Sequence, residues 1–106
     1  MEIRWSGEGR ELTVALTGEL DHHTAKETLH TLDALMEERL PLDCTLDLAG
    51  VSFMDSSGIA VILGLYRRVY ELAGAFRVEN VPPQGARVLE AAGIDRIVEI
   101  KKEAVL

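Results

Sequence analysis

The sequence predicts an α/β fold: one mixed β-sheet with an N-terminal antiparallel hairpin and helices packed on it, in a single domain spanning residues 1–106. Three observations predict it. Short apolar or alternating runs recur along the chain, separated by longer segments whose apolar residues repeat at helical spacing. The first two runs are joined only by Gly7-Glu8-Gly9-Arg10, a short glycine-bearing connection suited to a hairpin. Each later run is separated from the one before it by a helical segment, the arrangement that yields neighbouring parallel strands joined by right-handed crossovers.

The elements follow in order. Residues 3–6 and 12–17 read as the two hairpin strands. Leu12, Val14 and Leu16 alternate with Thr13, Ala15 and Thr17, so one face is apolar. Asp21-His22-His23-Thr24 opens the first helix, with Asp21 or Thr24 as candidate N-cap. Leu29, Leu32, Leu35 and Met36 form its apolar stripe, and Pro41 ends it. Residues 42–48 form the next strand, apolar enough to be central. Residues 57–73 form a helix closed by Gly74 as C′ residue. A strand at 76–79 is followed by the Pro82-Pro83 break, a helix at 84–92 closed by Gly93, and a last strand at 97–100. Loops 18–24 and 49–57 both run from a strand into a helix. Both are therefore expected on one rim of the sheet, at the carboxyl ends of parallel strands, where sites form in open α/β folds.

The chain carries a net charge of −7. A nucleic acid or an anionic membrane requires a basic face, so neither is expected as partner, whereas a basic protein surface is compatible. Cys44 is the only cysteine, which rules out an internal disulfide and suggests a buried reduced thiol. The first residues show no signal-peptide pattern, and no apolar run reaches the ~18 residues of a membrane span. The expected location is the cytoplasm.

The most informative segment is Asp55-Ser56-Ser57-Gly58, between a strand and the apolar run Ile59-Ala60-Val61-Ile62-Leu63. Ser and Asp are ordinary helix caps. A serine there is also a candidate phosphoacceptor, because free N–H groups and the helix dipole at that terminus favour an added phosphate. Small neighbours leave room for another protein's active site. At 100° per residue, Ile59, Ile62, Leu63, Tyr66, Val69 and Tyr70 share one face of the helix. Val61 and Leu65 fall off it, which makes them candidates for an apolar partner contact beside the serines. His22, His23 and His30 have no metal-ligand spacing, and no metal or cofactor is expected. A small hydrolase using Ser56 with His22 or His23 remains an alternative, although the serine lacks a G-x-S-x-G elbow. A receiver domain is excluded, since the first strand is not followed by an acidic pair.

Residues 51–59, Val-Ser-Phe-Met-Asp-Ser-Ser-Gly-Ile, resemble the signature of STAS domains, and specifically of bacterial anti-sigma factor antagonists. Residues 18–24, Gly-Glu-Leu-Asp-His-His-Thr, resemble more narrowly the sporulation anti-sigma F factor antagonists, with the general stress-response antagonists less similar there. The resemblance implies a non-enzymatic transcription regulator. Its unphosphorylated form binds an anti-sigma factor that is also a serine kinase of the histidine-kinase-like ATPase type, which frees the sigma factor. Phosphorylation of the first motif serine, here Ser56, inactivates it, and a PP2C-type phosphatase reverses the change. Ser57 transfers as a recognition residue. The expected docking surface comprises Asp21, His22, His23, Thr24, Asp55, Ser57, Gly58, Val61 and Leu65. The kinase of a stress-response or sensory system is the alternative partner.

Overall fold

The computed structural model describes residues 1–104. Its elements are β1 (Glu2–Ser6), β2 (Glu11–Leu20), α1 (Ala25–Arg39), β3 (Asp43–Met54), α2 (Ser57–Glu71), β4 (Ala75–Val81), α3 (Pro83–Ala91), a 3-10 turn (Ile94–Arg96) and β5 (Glu99–Lys102). The sheet order is β1-β2-β3-β4-β5. β1 is antiparallel to β2, and the other neighbours are parallel, as the hairpin and the helical spacers predict.

Alternation along the strands decides where the core sits. Leu12, Val14, Leu16, Cys44, Leu46, Leu48 and Val78 are buried beneath the helices. Thr13, Ala15, Thr45, Asp47, Arg77 and Glu79 point the other way and are only half-buried. Successive right-handed crossovers between adjacent strands account for helices lying on one face. Cys44 is fully buried and free. Burial, and then the Asp43 charge, pushes its thiol up to about 12, so it stays protonated.

Two strands are longer than their apolar alternation suggests. β2 continues through Gly18–Leu20 and β3 through Ala49–Met54, so the start of the first expected loop and most of the second are strand. Register shifts between Ala15 and Thr17 and between Gly18 and Glu19 break the two-residue period while pairing continues. Gly50 permits the close approach there: a Cβ on it would lie 2.6 Å from Thr17 Oγ1.

The end of α2 also differs. Ala73, with φ of 60°, is the left-handed residue, and its N–H donates to Tyr70 O at 2.9 Å. Gly74 is needed for contact instead, because a Cβ there would sit 2.9 Å from Leu42 Cα.

Candidate functional site: two strand-to-helix corners

β2 and β3 run side by side to their carboxyl ends, where Leu20 pairs with Met54. The Asp55 N–H donates to Leu20 O at 3.3 Å. The segments leading into α1 and α2 therefore start next to each other on one rim.

The α1 corner is tied by its own polar groups. Asp21 Oδ1 accepts the His23 N–H at 2.9 Å and the Thr24 N–H at 3.2 Å. Asp21 O accepts the Ala25 N–H at 2.9 Å. Thr24 is the N-cap by position, yet its side chain makes no capping bond. Its hydroxyl donates to Glu19 O at 2.7 Å and accepts the Asp21 N–H at 3.1 Å. Burial pushes the Asp21 carboxyl up, but the backbone N–H groups of His23 and Thr24 outweigh it and leave the carboxyl below its usual range. His22 and His23 are exposed, with ring centres 5.6 Å apart.

The α2 corner is built on Asp55. Its Oδ1 accepts the Ser57 N–H at 2.8 Å, and its Oδ2 accepts the His22 N–H at 3.1 Å. One carboxylate thus starts α2 and ties the neighbouring corner to it. Ser56 holds the N-cap position in helical conformation, φ −62° and ψ −18°, and its side chain makes no capping bond. A capping serine usually has extended dihedrals that aim its oxygen at the first turn. Ser56 lacks them, and its side chain is exposed.

The expectation of free N–H groups beside this serine is corrected. The Ser57 N–H is held by Asp55 Oδ1, the Gly58 N–H by Asp55 O at 3.0 Å, and the Ile59 N–H by Ser56 O at 3.2 Å. A phosphate on Ser56 would meet the positive end of α2 without an open backbone cradle, and would stand beside the Asp55 carboxylate.

Three expected partner contacts are corrected as well. Val61 and Leu65 are each 0% exposed. They belong to the buried stripe Gly58, Val61, Ile62, Leu65 and Val69, whereas Ile59, Leu63 and Tyr66 are only partly buried and Tyr70 is exposed. The apolar face of α2 is therefore turned by about one residue from the expected one. Gly58 is buried too: a Cβ there would lie 2.7 Å from Met54 Cγ and 3.2 Å from Leu20 Cδ2. Glycine lets the first turn of α2 settle onto the ends of β2 and β3. Of the remaining expected residues, Ser56, His22 and His23 are exposed, and Asp21, Thr24, Asp55 and Ser57 are half-buried.

Gln84, at the start of α3, escapes sequence reasoning. Its Oε1 accepts the Met54 N–H at 2.9 Å, and its Nε2 donates to Met54 O at 2.7 Å. No local signal marks it, because its partner is the backbone of a residue thirty positions earlier.

No hydrogen bond joins the Ser56 hydroxyl to either imidazole among the described residues, so the triad of the hydrolase alternative is not assembled. Also among the described residues, no group of three or more His, Cys, Asp or Glu side chains is placed to hold a metal ion. No described helix is long and apolar enough to cross a membrane.

A mixed sheet thus sets an exposed serine that makes no capping bond at the start of a helix, beside the neighbouring strand-to-helix corner. The chain belongs to the STAS domain family, whose model matches residues 3–104. It is 38% identical over 89 residues to an anti-sigma F factor antagonist of Paenibacillus polymyxa, covering 84% of this chain and 76% of that protein. It is 28% identical over 94 residues to the anti-sigma-B factor antagonist of Bacillus subtilis, covering 89% and 84% respectively. The fold matches the structure of the anti-sigma factor antagonist SpoIIAA in its unphosphorylated form, with TM-score 0.79, 25% identity and coverage of 98% of this chain and 89% of that one.

Proposed function

We propose that this chain is an anti-sigma factor antagonist switched by phosphorylation at Ser56. Unmodified, it binds an anti-sigma factor that is also a serine kinase and ATPase, releasing the sigma factor. Phosphorylated by that kinase, it lets go, and a PP2C-type phosphatase restores it. The observation that carries the reading is the exposed Ser56 side chain, which the fold does not use as a cap although it stands at a helix start. Antagonism of anti-sigma factors is also the role for which the relatives from Paenibacillus and Bacillus are named. The setting is a cytoplasmic sporulation circuit, in line with the anti-sigma F relatives. A stress-response circuit is the second reading, favoured by the anti-sigma-B relatives.

Asp21, His22, His23, Thr24, Asp55 and Ser57 form the surface around Ser56 in this proposal. Phosphate adds about −1.5 to −2 charge. In an interface fitted to a neutral hydroxyl that charge must be desolvated or repelled, while the fold itself tolerates it at a helix N-terminus. The test is titration of the cognate anti-sigma factor with three proteins. Wild type and Ser56→Ala are expected to bind, and Ser56→Asp is expected to bind poorly while melting near the wild-type temperature. Equal binding by Ser56→Asp, or a large fall in its melting temperature, refutes the switch. Turnover of an ester by this chain alone would support the hydrolase instead.

A further inference from the structure

Beyond Asp47, which pairs with Glu79, β3 has no further pairing with β4. β4 goes on past Asn80, at φ 55°, to Val81, which pairs with Lys102 of β5 on the other edge of β4. β3 nevertheless extends seven residues past Asp47, to Met54, with a strand neighbour only on its β2 side. Met54 is 1% exposed. Its N–H and C=O would both be buried without partners, which is costly for backbone groups. Gln84 satisfies both from α3, so its single amide does what a neighbouring strand does elsewhere. Met54 is followed directly by Asp55, which starts α2, and by Ser56.

We propose that Gln84 is a positioning residue for Ser56: its two-point clamp on Met54 holds the end of β3, and hence the acceptor hydroxyl, in one orientation for phosphoryl transfer. The inference rests on the reading of Ser56 as the acceptor. The clamp closes on backbone two residues before the serine, so it acts on geometry and makes no partner contact of its own. Transfer depends on alignment of the attacking oxygen, and misplacement by about 1 Å can lower rates by up to ~100-fold.

The experiment has two readouts on Gln84→Ala, with Gln84→Glu as the companion that keeps the acceptor for the Met54 N–H but lacks the donor. In the isolated protein, amide exchange at Met54, Asp55 and Ser56 is expected to accelerate in Gln84→Ala, while amides of β1 and α1 keep their protection. With the cognate anti-sigma factor and ATP, kcat for Ser56 labelling is expected to fall about tenfold or more with KM within about twofold. Gln84→Glu is expected to fall between the two. If Gln84→Ala does not fold, the Glu variant carries both comparisons. Unchanged exchange at Asp55 and Ser56 overturns the clamp, whatever the kinase does. Faster exchange with an unchanged kcat overturns the positioning role. A wild-type protein that is labelled elsewhere, or not at all, refutes the Ser56 switch itself, and the exchange readout still decides the clamp.

Discussion

At the α1 corner the N-cap hydroxyl of Thr24 donates to Glu19 O at 2.7 Å and accepts the Asp21 N–H at 3.1 Å. At the α2 corner, one strand over, the N-cap hydroxyl of Ser56 makes no capping bond. Both helix starts lean on an aspartate, Asp21 or Asp55, whose Oδ1 accepts an N–H two residues on. In each case the carboxylate serves the helix start. Only at the first corner is the hydroxyl also spent on holding the chain in place. A side chain relieved of structural work can be modified without loss of the fold, and that separates a switch from a brace.

The comparison breaks first if the core beneath α2 is misplaced. Leu65→Ala is expected to destabilise by ~2–5 kcal/mol in denaturant titration, because the side chain is fully buried and leaves a cavity. The folded fraction should bind the anti-sigma factor normally. A variant of wild-type stability that loses binding would return Leu65 to the interface.

Next comes Gly58→Ala, expected to cost ~1–3 kcal/mol by overpacking, since its new methyl would meet Met54 Cγ at 2.7 Å. The flexible Met54 side chain is expected to yield in part. Stability equal to wild type would mean that α2 does not press on the strand ends as described.

A smaller effect gives the sharper contrast. Thr24→Ala should lose ~1 kcal/mol of stability, in the range for a lost polar tie at a helix start, whereas Ser56→Ala should change it by no more than a few tenths. Paired denaturant midpoints measure both. Equal losses would show that the Ser56 hydroxyl is structural after all.

These contrasts also mark what sequence alone could reach. Element order and the parallel sheet were legible because alternation in residues 12–17 and 42–48, and the helical spacing of Leu32, Leu35 and Met36, are local patterns. The extensions Gly18–Leu20 and Ala49–Met54 were not, since register shifts interrupt the two-residue period where the strands stay paired. The face of α2 was ambiguous for another reason. Apolar residues at 59, 61, 62, 63, 65, 66 and 69 surround most of the helix, so two stripes fit the period. Packing chose between them: Val61 and Leu65 are fully buried, and Gly64 admits α1, where a Cβ would come within 2.7 Å of Leu29 Cδ1. The motif containing Ser56 stood out in the sequence. Its division of labour did not, because Asp55 reaches His22 and Gln84 reaches Met54 across the fold.

The smallest expected effect concerns acid. The folded-state pKa of Asp21 is depressed, so its carboxylate contributes stability above the unfolded value of about 3.8, and that contribution fades as pH falls through the lower folded value. Asp21→Asn is therefore expected to flatten the acid limb of the stability curve below pH ~4. An acid limb identical to wild type would show that the hydrogen bonds from His23 and Thr24 do not discriminate the charged form. The same variant probes docking: unchanged affinity for the anti-sigma factor at low and high salt would confine Asp21 to holding its corner.

The most direct measurement maps the phosphate. The protein is incubated with its anti-sigma factor and ATP, then digested and read by mass spectrometry. One phosphate is expected, on Ser56, with Thr24 and Ser57 unmodified and no label in Ser56→Ala. Phosphate on Thr24 or Ser57, or label that persists at full level in Ser56→Ala, would contradict it.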